Sequence, residues 1–409
     1  MRILFLTSAF EAVAGYWRAF NLGMPLASRG HDITLVCQSK SPSLHASRRV
    51  VAGVKILSLP SLISVSSNSL LETAARASTL ITQTCLNLWT TSLDFDVIHV
   101  YDAAFPQNAI PAMFCRVKRR SKRPALFVDW DDWMGRGGSL NLFHGEGANN
   151  MVIPLLTFLE EKTPLYADMI TVTTEVLRQR ALQVGVNKKD IVMLPNGANT
   201  DAIGPKDMRK AREELGLPAD VMIYICNKST FFVPLRPGDP ILDLLLAHKS
   251  ALKEHPSAIL FLLGKGSEKC IPWIKSLGIE KNVRCVGWQP LSMLSLYFGA
   301  SNFLVLPIRD TIFDRARFPL RLADYMAAGR PIVATALPEI ERVTRGFSWL
   351  AKPNDSADLA DKLVQAMRQP MDLWRKMGQM AREKAVKHLS WTVLSEQLEK
   401  TYLKYNSLS

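Results

Sequence analysis

The side chains best suited to bind an anion lie in one short stretch, RARFPLRLADYMAAGRPIVAT (residues 315–335). Arg317 and Arg321 stand on either side of a Phe-Pro pair at the predicted start of a helix, and Asp324 follows about one turn later. Helix N–H groups, the helix dipole and guanidinium forks together bind a diphosphate. A carboxylate at that position can accept hydrogen bonds from vicinal hydroxyls, such as a ribose diol. The stretch therefore predicts a diphosphate clamp with a ribose anchor; the alternative is that Asp324 only favours the helix dipole.

Glycine turns follow several predicted strands and would let a phosphate or a planar ring approach the backbone. FLLGKG ends one strand at Gly264, VRCVGW ends another at Gly287, and Gly15 precedes the first helix. An ordinary turn explains Gly15 equally well and is the preferred interpretation of Gly264. The chain has no GxGxxG after its first strand and no GxxxxGK[ST], which excludes a nicotinamide-type fingerprint and a P-loop.

These residues must be positioned by a sheet, because short apolar strands alternate with helical stretches along the whole chain. Such alternation predicts an α/β protein with parallel sheets and helices on both faces. The pattern restarts after a polar stretch containing Pro205 and Pro218. We therefore predict two doubly wound, Rossmann-like domains, residues 1–200 and 201–385, that face each other across a ligand-binding cleft. A break at HLSW predicts a separate last helix, residues 386–409, which packs back toward the first domain.

Composition narrows the classes of function. The chain of 409 residues is 48% hydrophobic and 21% charged, which is typical of globular domains. No run of 18 uncharged apolar residues occurs, so no membrane-spanning helix is expected, and the opening MRILFLTSAF is interpreted as a buried strand instead of a signal peptide. The cysteines form no CxxC motif, and no His and Cys residues have the spacing of a zinc site, so we expect no structural metal site. We expect the protein to lie in a reducing cytoplasm, with most of its cysteines packed in the core. The six scattered cysteines are Cys37, Cys85, Cys115, Cys226, Cys270 and Cys285.

The formal net charge of +13 favours an anionic partner. The densest basic run is CRVKRRSKRP, at the end of a predicted helix. Its cations are either a solvated helix end, favoured by the helix dipole, or a patch that binds the anionic inner face of a membrane. Nucleic acid is disfavoured because no aromatic platform accompanies the run. The cations are Arg116, Lys118, Arg119, Arg120, Lys122 and Arg123.

The order of motifs resembles the GT-B glycosyltransferases of the large retaining "group 1" (family 4-like) type. The resemblance covers nearly the whole chain, and its strength lies in collinearity, because each motif alone is weak. Its segments are, in order, GHDITLV, FDVIHVYDA, YADMITVTTEVLRQRALQVGVNKKDIVMLPNGANTD, AILFLLGKG, KNVRCVGW, NFLVLP, DYMAAGRPIVAT and HLSW.

On the donor side, the resemblance implies two glutamates separated by seven residues. Asp324 occupies the second position, which binds the nucleotide ribose, whereas the first position, which contacts the donor sugar, is Ala316. Pro319 replaces a glycine of the usual loop and removes a backbone donor. Lys228 occupies the place of a phosphate-binding arginine. The remaining donor residues implied are Arg236, Gly287, Phe318, Leu320 and Arg321.

On the acceptor side, a family histidine usually ends the strand that reads FVDWDDWMGRGG here. Asp131 lies near that place, and Asp129 would project to the same side if the strand continued. These acids either belong to a solvated loop or include a substrate contact, in which Asp131 meets the acceptor hydroxyl or the donor sugar. The other candidates near the acceptor are Gly15, Arg18 and Asp102.

The resemblance implies transfer of a sugar from a nucleotide-diphosphate donor to an unknown acceptor, with retention of configuration and without a metal cofactor. Lys228 and Arg321 would stabilise the departing diphosphate, and Asp131 completes the candidate catalytic set. Ala316 stands where the family has a glutamate, and Pro319 where it has a glycine. These two differences favour an alternative, a degenerate relative that binds a nucleotide or a protein without transferring a sugar. A nucleotide-sugar epimerase on the same fold is disfavoured by the HLSW tail.

Overall fold

The computed structural model describes residues 1–12, 14–62, 70–117, 123–139, 152–230 and 239–406. The chain divides into two compact units. Unit 1 contains residues 1–196, 316–318 and 391–409, and unit 2 contains residues 197–315 and 319–390. Five residues named above lie outside the described ranges: Lys118, Arg119, Arg120, Lys122 and Arg236.

Unit 1 is built on a sheet of eight strands in the order β3-β4-β2-β1-β5-β6-β7-β8. All neighbouring strands are parallel except β3 and β4, which pair antiparallel at one edge. The central strands carry buried apolar side chains on both faces, as expected for a sheet covered by helices on both sides. The strands are β1 (Arg2–Phe10), β2 (Asp32–Gln38), β3 (Ser47–Val51), β4 (Val54–Leu59), β5 (Val97–Val100), β6 (Ala125–Trp130), β7 (Met169–Val172) and β8 (Ile191–Met193).

Helices cover the sheet of unit 1, and the last helix of the chain is one of them. That helix, Trp391–Asn406, packs against the first helix. The preceding helix ends at His388, so Leu389 and Ser390 separate the two helices. The α-helices described for unit 1 are α1 (Ala14–Ser28), α2 (Leu70–Thr91), α3 (Pro106–Val117), α4 (Val152–Tyr166), α5 (Glu175–Gln183) and, at the end of the chain, α15 (Trp391–Asn406).

Unit 2 is built on a fully parallel sheet of six strands in the order β11-β10-β9-β12-β13-β14. Counted within the unit, this order is 3-2-1-4-5-6, the doubly wound arrangement with a reversal between its first and fourth strands. Ligands of such sheets bind beyond the carboxyl ends of the strands at that reversal. The strands are β9 (Ile223–Thr230), β10 (Ile259–Lys265), β11 (Val283–Gly287), β12 (Phe303–Leu306), β13 (Ile332–Thr335) and β14 (Ser348–Ala351).

Three helices of unit 2 begin at an aspartate that caps the first turn. Asp207, Asp239 and Asp355 each accept a backbone N–H of the first turn that follows, which satisfies one of the open donors of that turn. The α-helices are α6 (Met208–Glu214), α7 (Pro240–Ala251), α8 (Ile271–Leu277), α9 (Leu291–Ala300), α10 (Ile312–Ala316), α11 (Leu320–Ala327), α12 (Pro338–Thr344), α13 (Ser356–Met367) and α14 (Met371–His388).

The predicted fold class, two Rossmann-like α/β domains, is confirmed, as is the interpretation of the first residues as a buried strand. Two strands escaped prediction. Every residue of β3 is exposed, so the strand has no apolar alternation to reveal it, and β14 is only four residues long. Among the described residues, no helix is both long and apolar enough to cross a membrane.

Candidate active site

In unit 2, two predicted cations meet at the carboxyl end of β9. Lys228 lies on β9 itself, and Arg321 lies in the first turn of α11. Arg321 donates a hydrogen bond from Nη1 to the carbonyl oxygen of Asn227 (2.8 Å). The buried Tyr325 hydroxyl accepts the N–H of Asn227 (2.7 Å), so α11 is fixed to the strand at two points. Because β9 borders the reversal of strand order, these cations stand where the fold binds its ligands.

A buried acid balances this cluster only in part. Asp239, which caps α7, accepts the N–H of Ile241 (2.9 Å) and pairs with Arg309 (3.2 Å). The pKa of Lys228 is lowered, chiefly because burial penalises its charge and also because Arg321 lies near, although Asp239 opposes the shift. Because the neighbouring positive charges disfavour the charged form of Lys228, an added anion would stabilise this cluster.

Asp324 lies on the next turn of α11 and is half-buried. Burial raises the pKa of its carboxyl group to about 7. The first turn of α11 contains no acid, and the stabilisation of acids by the dipole is confined to that turn, so the dipole does not account for Asp324. A desolvated carboxylate with a raised pKa is typical of a functional position.

The other predicted donor residues have different surroundings. Gly287 ends β11 with a positive φ of 81°, which favours glycine, and its N–H donates to Ser267 Oγ (3.0 Å). The adjacent Trp288 has 68% of its surface exposed. Leu320 is the first residue of α11, whose N-terminus has no side-chain cap. Phe318 is buried and belongs to unit 1, where its carbonyl oxygen accepts a hydrogen bond from Asn196 Nδ2 (2.9 Å).

Ala316, the position of the missing glutamate, is fully buried. It belongs to an apolar cluster of unit 1 with Leu6, Val100 and other core residues, and its carbonyl oxygen accepts the Thr174 hydroxyl (2.6 Å). A carboxylate at this position would enter an apolar core. The alanine therefore packs into the core of unit 1 at the position where a sugar-contacting side chain is expected.

In unit 1, Gly15 and Asp102 meet at the reversal between β1 and β5. The Asp102 carboxylate accepts hydrogen bonds from the Thr7 hydroxyl (2.6 Å) and the Ser8 N–H (3.2 Å), and its pKa is raised because it is buried. A Cβ atom on Gly15 would stand 3.3 Å from Asp102 Oδ2, so glycine keeps this carboxylate close to the start of α1. Asp102 also has a positive φ of 53°, which is unusual for a residue with a side chain.

Arg18, which the sequence places among the candidates near the acceptor, is enclosed by other residues of unit 1. Only 1% of Arg18 is exposed, and its two bonds to Asp129 measure 2.8 and 2.9 Å. Its other bonds go to the carbonyl oxygens of Leu194 (2.8 Å) and Pro195 (3.2 Å) and to Asn196 Oδ1 (2.9 Å). All five guanidinium donors are thus used inside unit 1, and Arg18 is a positioning residue.

Asp131 lies one residue beyond the end of β6. The side chains of Asp129 and Asp131 would point to the same side only if the strand continued through Asp131, and it does not. The carbonyl oxygen of Asp131 accepts the Thr173 hydroxyl (2.9 Å). The pKa of its carboxyl group is raised well above its usual value, first by burial and then by the charges of Asp132, Asp129 and Asp102. Four acids in one region, only one of them paired with Arg18, make this group a candidate acceptor of substrate hydroxyl hydrogen bonds.

Sequence reasoning missed Glu160 and Arg180, which hold the loop after Asp131. The buried Glu160 carboxylate accepts the N–H groups of Met134 (2.8 Å) and Gly135 (2.9 Å) and pairs with Arg180 (2.8 Å). The Arg180 guanidinium lies 3.9 Å from the ring centre of Trp133. The paired glycines of this loop were the only available sequence signal, because Glu160 and Arg180 lie on distant helices.

The basic run is described only at its two ends. Arg116 and Arg123 both pair with Asp168, at 2.7 and 2.9 Å, and their side chains remain 39% and 36% exposed. The charge of this region is therefore partly compensated within unit 1.

Two family profiles match the chain. The profile of the "Glycosyl transferase 4-like domain" matches residues 17–197, and that of "Glycosyl transferases group 1" matches residues 235–369. Together they span more than three quarters of the chain. The ranges contain β9's partner strands, α11 with Arg321 and Asp324, and the acids that follow β6.

Curated relatives and solved structures agree with these matches. The chain is 22% identical over 316 residues to a phosphatidyl-myo-inositol mannosyltransferase of Mycobacterium leprae, covering 77% of this chain and 75% of that one. It is 26% identical over 249 residues to a D-inositol 3-phosphate glycosyltransferase of Nocardia farcinica, covering 57% and 52%. Its fold is similar to sucrose-phosphate synthase from Thermosynechococcus elongatus, with a TM-score of 0.76, 18% identity and full coverage of both chains. HepE of Anabaena, solved with UDP-glucose, gives a TM-score of 0.66 at 15% identity, covering 99% and 100%. The chain belongs to the group 1 glycosyltransferases and is an enzyme of the GT-B fold.

Proposed function

We propose that the protein transfers a hexose from a nucleoside-diphosphate sugar to a hydroxyl group, with retention of anomeric configuration and without a metal ion. The observation that carries this proposal is the cluster of Lys228, Arg309 and Arg321 at the strand-order reversal of unit 2, with Asp324 on the adjoining helix. Its charge matches a diphosphate, and its carboxylate matches a ribose diol. The three cations supply the charge neutralisation for which other transferases use a metal.

The donor is proposed to be a uridine-diphosphate sugar. HepE of Anabaena, which has a similar fold, was solved with UDP-glucose. In this chain, the exposed ring of Trp288 stands beside Gly287 at the end of β11 and offers a flat face on which a nucleobase can stack. The donor sugar has to be recognised without a carboxylate at Ala316.

In the proposed reaction, the bond between the sugar C1 and the diphosphate oxygen breaks, and the acceptor oxygen bonds to C1 on the same face. The acceptor proton passes to the departing diphosphate oxygen, so no protein base is required. Lys228 and Arg321 stabilise the negative charge that develops on the diphosphate. Asp131 accepts a hydrogen bond from a substrate hydroxyl and orients it.

The acceptor is proposed to be a polyol, either free or as a lipid headgroup. Support comes from the two curated relatives, whose names specify phosphatidyl-myo-inositol and D-inositol 3-phosphate. A lipid acceptor would place the enzyme at an anionic membrane surface, and the net charge of +13 favours such a location.

The buried Ala316 favours a second candidate, a protein that binds the nucleotide without transferring the sugar. A donor screen separates the two. Release of nucleoside diphosphate is measured for a panel of nucleotide sugars, with inositol and phosphatidylinositol as acceptors and with or without EDTA. Acceptor-dependent release that EDTA does not inhibit supports the proposal. Nucleotide binding without release supports the second candidate, and inhibition by EDTA contradicts metal independence.

The affinity for UDP-glucose is expected to rise between pH 6 and pH 8. Asp324 has a pKa of about 7 because it is buried, so the acid is mostly protonated below that pH. A ribose diol binds the ionised form, which lowers the pKa on binding. The dissociation constant should therefore fall up to about tenfold per pH unit below 7 and level off above it. Isothermal titration calorimetry measures this constant, and the diphosphate of UDP-glucose does not itself titrate in this range.

The matched control is Asp324→Asn, which removes the titrating group and keeps its size. This variant should bind UDP-glucose more weakly, with a dissociation constant that is nearly independent of pH between 6 and 7. Lys228, whose pKa is lowered by burial, contributes a loss of affinity at higher pH that both proteins share. An equal slope below pH 7 in both proteins would contradict the ribose-anchor role.

A further inference from the structure

The outer faces of three neighbouring helices in unit 1 are apolar where an α/β protein normally presents polar side chains to water. Helix α2 packs against α3, and α3 packs against α4. Asn87 of α2 donates from Nδ2 to the carbonyl oxygen of Gln107 on α3 (2.8 Å), which fixes the first pair. The face comprises the exposed residues Ile81, Cys85, Trp89, Ile110, Phe114, Val152, Leu155, Phe158 and Leu165, and we call it the three-helix face.

Among the side chains that the structure describes, exposed apolar residues recur at helical spacing on α2 and α4, and Lys162 of α4 lies among them. On α2 the exposed positions include 81, 85 and 89, and on α4 they include 155, 158 and 165, separations that place side chains on one side of a helix. Large side chains dominate, with Trp89 53%, Phe114 51% and Phe158 54% exposed. Single exposed apolar residues are ordinary, but a continuous apolar surface across adjacent helices marks an interaction site.

Two exposed cations border the face. Arg116 at the end of α3 and Lys162 on α4 are exposed cations. The acids of α4, Glu160 and Glu161, pair with Arg180 at 2.8 and 3.4 Å. Glu160 is buried, whereas Glu161 keeps 41% of its side chain exposed. An apolar surface with aromatic rings and a cationic edge is the pattern of a protein surface that lies in a lipid interface.

We infer that the three-helix face inserts into the headgroup region of an anionic phospholipid bilayer and anchors unit 1 there. Burial of the apolar side chains supplies the anchoring, and Arg116 and Lys162 attract the anionic headgroups. The inference rests on the proposed membrane location and does not depend on the transfer reaction. It differs from attraction by the basic run alone, which needs no apolar contact and is lost at high salt.

The test is flotation of the full chain with vesicles of phosphatidylcholine containing phosphatidylglycerol, compared with vesicles of phosphatidylcholine alone. The variant Trp89→Ser/Phe114→Ser/Phe158→Ser removes three exposed rings and leaves the core unchanged. Its binding to the anionic vesicles should fall at least about tenfold, since each ring contributes buried apolar area. The matched control is Leu246→Ser, which changes an apolar residue that is 39% exposed on α7 of unit 2, and should bind as the unsubstituted protein does.

Circular dichroism and the thermal midpoint verify that the triple variant is folded, and light scattering without lipid reports the oligomeric state. Loss of flotation in the triple variant alone supports the inference. Equal flotation of both variants overturns it and leaves electrostatic attraction as the mode of membrane binding. Absence of flotation for the unsubstituted protein overturns both the inference and the membrane location. A dimer of the unsubstituted protein that the triple variant dissociates, without vesicle binding, overturns the inference and assigns the face to a second copy of the chain.

Discussion

Replacing Arg321 with alanine is expected to lower kcat/KM for the nucleotide sugar about 10²–10³-fold, mainly through kcat. The guanidinium is fixed at the end of β9 by its bond to the Asn227 carbonyl oxygen, so its charge is oriented before substrate binds. Negative charge on the diphosphate grows as the bond to the sugar breaks, and a fixed cation stabilises that state more than the ground state. Steady-state kinetics of nucleoside-diphosphate release measures the effect.

Two variants make the result specific. Arg321→Lys keeps the charge but loses the planar fork, and an intermediate loss is expected. Arg375→Ala removes an arginine of α14 that is 74% exposed and pairs only at the surface with Asp372, so its kinetics should not change. The Arg321→Ala protein should remain folded, because the hydrogen bond from the Asn227 N–H to the Tyr325 hydroxyl still fixes α11 to β9. A kcat/KM within threefold of the unsubstituted enzyme would remove Arg321 from the mechanism.

The fold was predictable because its information is local. A parallel sheet buries both faces of its central strands, so each of these strands is a short apolar run in the sequence. The alternation of such runs with helical stretches indicates the fold. The exposed β3 gave no such signal and was missed. The strand order, which places Lys228 and Arg321 beside the reversal in unit 2, follows from pairing between distant segments, and the residue pattern does not show that pairing.

The site was predictable only in part, because burial and pairing join residues that are distant in sequence. Arg321 and Asp324 share one helix, and the sequence identified them together. Arg18 and Asp129 are 111 positions apart, so the sequence could not show that their charges cancel. Nor could it show that Ala316 is a core residue of unit 1.

The buried pair of Arg18 and Asp129 is expected to contribute the largest single effect on stability. Both side chains are almost fully buried, at 1% and 0% exposure. The Asp129 carboxylate also accepts the Thr171 hydroxyl, and Thr171 in turn contacts His99 Nε2 (3.1 Å). His99 Nδ1 is 2.6 Å from the hydroxyl of Tyr402 on α15, so the pair belongs to a hydrogen-bonded chain that crosses the sheet.

Asp129→Ala should lower the free energy of unfolding by about 3–5 kcal/mol, because it leaves the Arg18 charge buried without its partner. Asp94→Ala breaks an exposed pair with Arg2 and should cost less than about 1 kcal/mol. Arg18→Met/Asp129→Leu removes both charges and should recover much of the loss, since the cost comes from the unpaired charge and not from the missing bond. Urea unfolding followed by circular dichroism measures all three. A loss below 1 kcal/mol for Asp129→Ala, or a double variant less stable than the single one, would show that Arg18 can reach water or another anion when Asp129 is absent.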